Sequence, residues 1–354
     1  MVFAVNAFLG GFIQIYSGRL GDLFGYKRTL ILFSFGSFVS YFLLFVSSRY
    51  YASAILFIPL FVINNLMSSL YQPSSNALLS LSSDLPLSGF SIMRVASNLG
   101  WSFGPAIGGI IISSFGYSDL FLIASGTSFI AFARYFILTD IKPKGKTPTR
   151  FSFKNIERSL YLLGAGTVFL FVVVSQFSVT LSLYANHIAG LGTASIGLIY
   201  FVNGIVVVLF QFPVYALIKK IGMWNGMIVG TLLYMIGYFS IAFDRVLNEF
   251  FISMFVITMG ENFVTPTGNA LVSDISGGRT LGTYMGVYNF FNSFGRGMAP
   301  AYGTLLLTYL INPYEIWGLA VFPAAIASVI FLSLKLRENR LKSAIPAPPI
   351  SIEK

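Results

Sequence analysis

The sequence contains no cysteine and a single histidine, His187, and charged residues make up only 10% of its 354 residues. The absence of cysteine excludes disulfides, cysteine-ligated metal sites and thiol catalysis. The chain also lacks an HExxH motif, paired acidic residues within its apolar segments and a nucleotide-binding loop. We therefore expect neither an enzyme nor a resident metal or cofactor.

Apolar residues dominate the rest of the composition. They make up 56% of the chain, above the roughly 45–50% of soluble domains. Apolar runs of about 17–25 residues recur, and each is long enough to cross a bilayer as a helix. Eleven segments are predicted, near residues 1–18, 29–48, 53–82, 87–116, 119–139, 159–184, 194–217, 225–243, 250–275, 282–311 and 314–335. The sequence therefore predicts an all-α polytopic membrane protein embedded in a lipid bilayer.

Lysine and arginine are distributed unevenly among the connections between these segments. Sixteen of the 22 lie in one alternating set of connections or in the tail, two (Arg49 and Arg245) lie in the other set, and four lie within segments. Because positively charged loops stay in the cytoplasm, this pattern predicts a cell-membrane protein whose C-terminus is cytoplasmic. The net charge of +10 is thus a signal of topology, and no nucleic-acid partner is expected.

The longest basic connection, IKPKGKTPTRFSFKNIER, divides the chain into two parts. We predict an N-terminal helical bundle over residues 1–140 and a cytoplasmic linker over residues 141–158. A C-terminal helical bundle over residues 159–336 and a short cytoplasmic tail over residues 337–354 complete the predicted organisation.

An internal repeat relates the two bundles. PSSNALLS (73–80) matches PTGNALVS (266–273), and NLGWSFGPAIGG (98–109) aligns with SFGRGMAPAYGT (293–304). An offset of 197 residues pairs Asn6 with Asn203, Gln14 with Gln211 and Gly25 with Gly222. Repeats in parallel register are a common plan of transporters. Segments one to five pair with segments seven to eleven, which predicts two pseudo-symmetric bundles on a six-plus-six plan from which the first helix is absent.

Two motifs resemble those of a known family. GRLGDLFGYKR (18–28) resembles the signature of the major facilitator superfamily in the loop after its second helix, and GPAIGG (104–109), preceded by Gly100, resembles the fifth-helix motif of its drug:proton antiporters. The resemblance implies a secondary transporter that moves a small, amphipathic organic compound by alternating access, as proton-coupled efflux. We expect it to be a monomer. An arginine of the family's fourth helix is missing from FIPLFVINNLMSSLYQPSS (57–75). A truncated or non-transporting scaffold or sensor of the same fold is the alternative.

The charged motif is the first candidate site, and it comprises Gly18, Arg19, Asp22, Gly25, Lys27 and Arg28. Its glycines permit a tight turn and a close approach of helices. The resemblance suggests that Asp22 reaches the positive N-terminal end of the tenth segment, around residues 280–282, where a carboxylate is favoured. Such a contact would latch the two bundles in one conformation and release them in the other. The alternative is a basic loop that only fixes the helix in the membrane.

Charged residues deep in the apolar segments form the second candidate site. Glu261 is the candidate proton carrier, because an acid at this depth should face a cavity or a partner; the alternative is a structural carboxyl between helices. Arg94 either faces the cavity or snorkels to the membrane surface. Arg296 lies deeper in its segment and is a candidate partner of Glu261.

Uncharged polar residues complete the candidate cavity. Asn6 and Gln14, like Asn203 and Gln211, are eight residues apart and hence on nearly one helix face, and Gln176 could join them. These residues either line the cavity or hold helices together. The GPAIGG motif and the preceding Gly100 are predicted to form a smooth face for close helix packing. This motif comprises Gly100, Gly104, Pro105, Gly108 and Gly109.

Overall fold

The computed structural model describes residues 2–51, 54–139, 141, 156–278 and 280–343, and of residues 2–8, 54, 105–106 and 341–342 it describes the backbone only. Every regular element in these ranges is a helix. The α-helices are α1 (Val2–Phe24), α2 (Tyr26–Val46), α3 (Ala54–Ser82), α4 (Pro86–Phe115), α5 (Tyr117–Tyr135), α6 (Arg158–Val174), α7 (Thr180–His187), α8 (Thr193–Ile221), α9 (Met223–Ser240), α10 (Leu247–Ser276), α11 (Leu281–Tyr309) and α12 (Pro313–Ser343).

These helices form eleven membrane segments in the described ranges. Helices α6 and α7 are separated only by the short 3₁₀ turn Ser175–Phe177, and together they make one candidate span, Arg158–His187. Five segments therefore precede the linker and six follow it. This arrangement confirms the prediction of an all-α polytopic membrane protein with about eleven transmembrane helices.

Length and composition alone mark seven of the described helical stretches as able to cross a membrane. Helices α1, α5, α10 and α11 are not among them. Three of these four carry charged candidates, since Asp22 lies on α1, Glu261 on α10 and Arg296 on α11, whereas Arg94 lies on α4, which is one of the seven. The segments with a weaker apolar signal are thus largely the ones that bring charge into the bundle.

The internal repeat is visible in the turns between helices. Gly25 joins α1 to α2 with a φ angle of 95°, and Gly222 joins α8 to α9 with a φ angle of 88°. Glycine adopts positive φ without the steric cost that other residues meet, so both turns need only one residue. Because the two glycines are paired by the repeat, the same tight turn occurs at the same place in each bundle.

The packing of the two bundles follows a pseudo-two-fold axis. Helix α1 packs along α11, and α4 packs against α8, which are the contacts that the repeat relates to each other. Helices α3 and α10 also meet, and the hydroxyl oxygens of Ser80 and Ser273 lie 2.5 Å apart. These two serines are equivalent positions of the repeat, and equivalent residues can touch only where the axis passes between them. The prediction of two pseudo-symmetric bundles is therefore confirmed.

The best-packed part of the core lies in the second bundle. Trp317 of α12 is fully buried, with its ring parallel to that of Tyr238 at a centroid distance of 6.1 Å and edge-on to that of Tyr184 at 5.4 Å. Helices α9 and α10 approach closely because Gly237 leaves room for the α10 backbone. Small residues that let helix backbones approach are a general feature of membrane bundles.

Two predicted boundaries differ from the structure. Helix α1 continues to Phe24, so residues 18–24 of the charged motif are helical and only Gly25 forms the turn. Helix α12 continues to Ser343, beyond the predicted end of the bundle at residue 336. The added stretch, RENRLKS, consists mostly of residues with good helix propensity, so the helix can continue past the apolar span. Most of the predicted linker, and residues 344–354 of the tail, lie outside the described residues.

A pair of glycine substitutions tests the close packing of α9 on α10. A methyl group at Gly237 would lie 2.7 Å from the backbone nitrogen of Ile257, whereas one at Gly100 would meet no atom within 4 Å. We expect Gly237→Ala to lower the free energy of unfolding by about 1–3 kcal/mol and Gly100→Ala to raise it by about 0.5–1 kcal/mol, because alanine is the better helix former. Thermal unfolding in detergent measures both. Equal effects of the two substitutions would contradict the packing.

Candidate functional site

The Asp22 carboxylate lies in the last turn of α1, is 4% exposed and is bound to the first turn of α11. Its Oδ1 accepts a hydrogen bond from the backbone N–H of Gly282 at 2.9 Å. Its Oδ2 accepts two from Thr283, one from the backbone N–H at 2.7 Å and one from the hydroxyl at 2.5 Å. The first N–H groups of a helix have no partner within the helix and carry a partial positive charge. The buried carboxylate therefore gains hydrogen-bond donors, and the first N–H groups of α11 gain an acceptor.

Glycines bring α1 and α11 close enough for this contact. A side chain at Gly18 would collide with the carbonyl of Gly282, and a side chain at Gly282 would collide with the carbonyl of Gly18. One turn further along α11, a side chain at Gly286 would collide with the backbone of Gln14. Three glycines thus let the two backbones cross nearly in contact, which places a short aspartate side chain within reach of α11.

Residues 280–282 were predicted as the target of Asp22, but Tyr26 at the start of α2 and Thr283 of α11 were not predicted as its partners. Tyr26 is fully buried, donates its hydroxyl to Asp22 Oδ1 at 2.6 Å and accepts from the Gly282 N–H at 3.3 Å. Thr280, which precedes α11, has a φ angle of 44°, a left-handed conformation that is strained for a threonine. Tyr26 lies between Gly25 and the basic pair Lys27 and Arg28, where the family signature it resembles has no residue, and this extra residue was the available signal.

The other residues of the charged motif have separate positions. Lys27 donates its Nζ to the carbonyl oxygens of Phe136 and Leu138, at 2.8 and 2.7 Å, just past the end of α5. Lysine commonly binds carbonyls at a helix C-terminus. Arg28 is exposed and Arg19 is half-buried. The contact between the bundles is therefore made by Asp22, while Lys27 acts within the first bundle.

A second charged contact joins the bundles near the middle of α10. Arg94 of α4 places its Nη2 atom 2.9 Å from Oε1 of Glu261 on α10, and the two side chains are 7% and 26% exposed. Asn203 of α8 donates its amide to Glu261 Oε2 at 2.9 Å and to the hydroxyl of Thr258 at 2.9 Å. The Nε atom of Arg94 lies 3.4 Å from the side-chain oxygen of Asn262. The carboxylate is thus held by residues of both bundles.

These positions settle two alternatives about the arginines. Arg94 is buried against Glu261, so the interpretation of a snorkelling side chain is wrong. Arg296 is not the partner of Glu261: no acidic oxygen lies within 4 Å of its guanidinium in the described residues, and the guanidinium carbon instead lies 4.5 Å from the centroid of the Phe171 ring. Arg94 reaches Glu261 because α4 packs directly on α10, a contact between the bundles that the sequence pattern did not reveal.

The glutamine candidates lie in helix contacts and do not line an open surface. Gln14 is 9% exposed, and Gln176 and Gln211 are fully buried. Gln176 donates to the carbonyl of Val172 within its own segment at 2.8 Å and lies 3.5 Å from the carbonyl of Ala299 on α11, and Gln211 donates to the carbonyl of Asn262 on α10 at 3.3 Å. The amides of Gln176 and Gln211 thus join helices, which is the second of the two roles considered. The side chain of Asn6 lies outside the described part of the chain.

The glycines of the GPAIGG motif and Gly100 are loosely surrounded in the structure. Atoms added at Gly100, Gly104 or Gly109 would meet nothing within 4 Å, and one at Gly108 would be in ordinary contact with Leu120. Among the described residues no helix lies against Gly100, Gly104 or Gly109 in this conformation, so the close-packing face stays a prediction. The side chain of Pro105 lies outside the described part of the chain.

A cavity of about 740 Å³ lies away from both charged contacts. It is formed by the end of α8, the start of α9 and the ends of α10 and α12, and it has a mixed lining that includes Lys219, Asp274 and Lys335. We call the end of the bundle with these residues and the Asp22 contact the basic face. None of the residues around Glu261 lines this cavity. The ion pair therefore belongs to the interface between the bundles and not to this cavity.

Comparison with known proteins gives a consistent result. The sequence matches the profile of the Major Facilitator Superfamily over residues 1–300 and 225–352. It is 26% identical to the uncharacterized MFS-type transporter YttB of Bacillus subtilis over 72% of this chain and 65% of that protein. It is 24% identical to YqjV of the same organism, another uncharacterized MFS-type transporter, over 97% of this chain and 86% of that protein. A multi-drug resistance efflux pump PmrA homolog of Lactococcus lactis is 22% identical over 78% of this chain and 70% of that protein.

Solved structures agree on the fold. The human organic anion transporter MFSD10 superposes with a TM-score of 0.77 at 15% identity, covering 93% of this chain and 82% of that chain. The fucose:proton symporter FucP of E. coli superposes with a TM-score of 0.74 at 15% identity, covering 95% of this chain and 90% of that chain. Together with the two pseudo-symmetric bundles, these matches identify the chain as a multi-pass membrane protein of the Major Facilitator Superfamily, a family of transporters and not of enzymes.

Proposed function

We propose that the protein is a secondary active transporter that exports a small, amphipathic organic compound from the cell in exchange for protons. The observation that carries this proposal is the ion pair between Arg94 and Glu261, which joins the two bundles near mid-depth. Support for efflux comes from the antiporter-like motif GPAIGG (104–109) and from the resemblance to a multi-drug efflux pump homolog. We assign the chain to the drug:proton antiporter branch of the family and to the cell membrane.

Alternating access requires the two bundles to separate at one face and then at the other. We take residues 1–140 and 159–336 as the two moving bundles, residues 141–158 as the linker between them and residues 337–354 as the tail. The excess of lysine and arginine supports a cytoplasmic position for the basic face. With Asp22 bound to α11 and Ser80 against Ser273, the transporter is then closed to the cytoplasm.

The ion pair supplies a means of coupling this motion to protons. A carboxylate that stays in a largely buried site needs its positive partner, because removing one member of a buried pair is strongly unfavourable. A proton on Glu261 would remove the negative charge that holds Arg94 and would weaken the contact between α4 and α10. Glu261 is the more exposed partner, so water in the space between the bundles can deliver the proton. The bundles could then separate without leaving a bare carboxylate in the membrane.

The first test replaces Glu261 by glutamine in proteoliposomes. Three naphthalene probes that differ in charge serve as substrates: 2-naphthoate, 2-naphthamide and 2-naphthylmethylammonium. We expect the wild-type chain to accumulate at least one probe when a proton gradient is imposed. Glu261→Gln should lose this accumulation but keep probe exchange without a gradient, because glutamine imitates the protonated acid and cannot release a proton.

The matched control is Glu315→Gln, which removes an exposed acid on α12 and should leave both activities unchanged. Gradient-driven accumulation that survives Glu261→Gln would contradict a coupling role for this residue. Exchange of none of the three probes by the wild-type chain would contradict transport and favour the non-transporting scaffold or sensor.

The second test concerns the contact of Asp22 with α11. A single cysteine placed at Ser80, in a chain that has no other, reports whether the basic face opens. Asp22→Asn keeps the shape of the side chain but removes the charge that the amides of Gly282 and Thr283 bind. A hydrogen bond to a charged group contributes about 1.5–3 kcal/mol, so we expect labelling of the cysteine by a maleimide from the basic face to rise about tenfold or more.

The control for this test is Asp84→Asn, because Asp84 is an exposed acid close to the same face, just past the end of α3. A cysteine at the exposed Ser343 measures reagent access to that face. Identical labelling of the cysteine at position 80 in the wild-type and Asp22→Asn backgrounds would show that the contact does not hold the bundles together.

A further inference from the structure

The charges between the bundles do not balance. Three charged side chains act on one another electrostatically in this region, Arg94, Glu261 and Arg296. Glu261 is already bound by Arg94 at 2.9 Å. In the described residues, the other charged side chains lie towards the two faces of the membrane. One arginine therefore remains without an opposite charge near the middle of the bundle.

Arg296 is also accessible, unlike Arg94. Its side chain is exposed although it lies near the middle of α11. An arginine in contact with lipid at this depth is unfavourable by about 2.5–3.5 kcal/mol on insertion scales. Arg296 is surrounded by protein on most sides and lies within Coulombic range of Glu261 and Arg94, so we take its exposed surface to face the space between the bundles. A charged group that reaches this space from solution can therefore contact it.

The neighbours of Arg296 hold it in a fixed position. Gly295 lets α11 approach α6, since a side chain there would lie 3.0 Å from the Cβ atom of Phe171. This approach brings the guanidinium over the Phe171 ring, 4.5 Å from its centroid. A guanidinium stacked on an aromatic ring keeps its N–H groups free for planar acceptors. One turn away on α11, the side-chain oxygen of Asn292 is buried without a hydrogen-bond partner.

We infer that Arg296 binds the acidic group of the transported compound, so that the substrate class is an amphipathic organic anion with a carboxylate, sulfonate or phosphate beside an apolar or aromatic body. Such a group has planar or forked oxygens that match the guanidinium in a bidentate pair. Binding of the anion neutralises the positive charge of Arg296, which the pair of Arg94 and Glu261 does not compensate. Phe171 contributes apolar surface next to the anionic group. This inference rests on the proposed transport function, because it names what that function moves.

The experiment measures equilibrium binding to the full chain in lipid nanodiscs, using 2-naphthoate, 2-naphthamide and 2-naphthylmethylammonium. We expect 2-naphthoate to bind most tightly. Arg296→Gln should weaken its binding about 10- to 100-fold, the range expected for a lost charge-assisted hydrogen bond, and should leave 2-naphthamide nearly unchanged. Arg296→Lys should retain part of the affinity, since lysine keeps the charge but not the fork. Arg134→Gln, at an exposed arginine near the end of α5, should change nothing.

The other outcomes overturn the inference, and they are distinct from a failure of the transport proposal. A preference for the ammonium probe, equal affinity for naphthoate and naphthamide, no binding of naphthoate below millimolar concentration, or an unchanged affinity in Arg296→Gln would contradict an anion site. If probes are exchanged in proteoliposomes while Arg296→Gln leaves the charge preference intact, only the substrate class is wrong. If naphthoate binds through Arg296 but no probe is exchanged, the site stands and the transport proposal fails.

Discussion

The carboxylate of Asp22, bound to the first amides of α11, is the contact on which the relative position of the two bundles depends. A buried carboxylate needs hydrogen-bond donors, and the start of α11 offers N–H groups that have no partner within their own helix. Each group therefore satisfies the other. Because one belongs to the first bundle and the other to the second, separating the bundles would leave both unsatisfied unless water replaced them. The contact is strong while water is excluded from it and weak once water enters. A contact between bundles that separate and close again needs this property.

The repeat alone would allow this contact twice, and the loss of the acid in the second copy explains why it occurs once. The repeat reproduces the turn at Gly25 in the turn at Gly222 and brings Ser80 against Ser273. The acid is not repeated, since the position equivalent to Asp22 is occupied by Lys219. The second interface, between α4 and the helices α8 and α10, is instead closed by Arg94 and Glu261 at mid-depth. A duplicated scaffold thus carries two different polar contacts, one at the basic face and one inside the membrane.

The sequence was sufficient for the parts of the fold that local pattern determines. Apolar runs predicted the eleven segments, and the repeated PSSNALLS and PTGNALVS predicted the relation of the bundles. The motif likewise indicated that Asp22 lies near the start of α11. The sequence could not show which of Arg94 and Arg296 pairs with Glu261, because that choice depends on packing between α4 and α10. The same limit applies to Gly100 and Gly104: four-residue spacing shows that a helix face is smooth, but not whether another helix covers it.

A disulfide across the pseudo-two-fold axis tests most directly whether transport requires the basic face to open. The hydroxyl oxygens of Ser80 and Ser273 are 2.5 Å apart, and the chain has no cysteine of its own. Oxidation of a Ser80→Cys/Ser273→Cys variant should join the bundles and stop exchange of the naphthalene probes in proteoliposomes. Reduction should restore exchange, and oxidation of either single variant should have no effect. Exchange at an undiminished rate in the fully cross-linked protein would contradict the account.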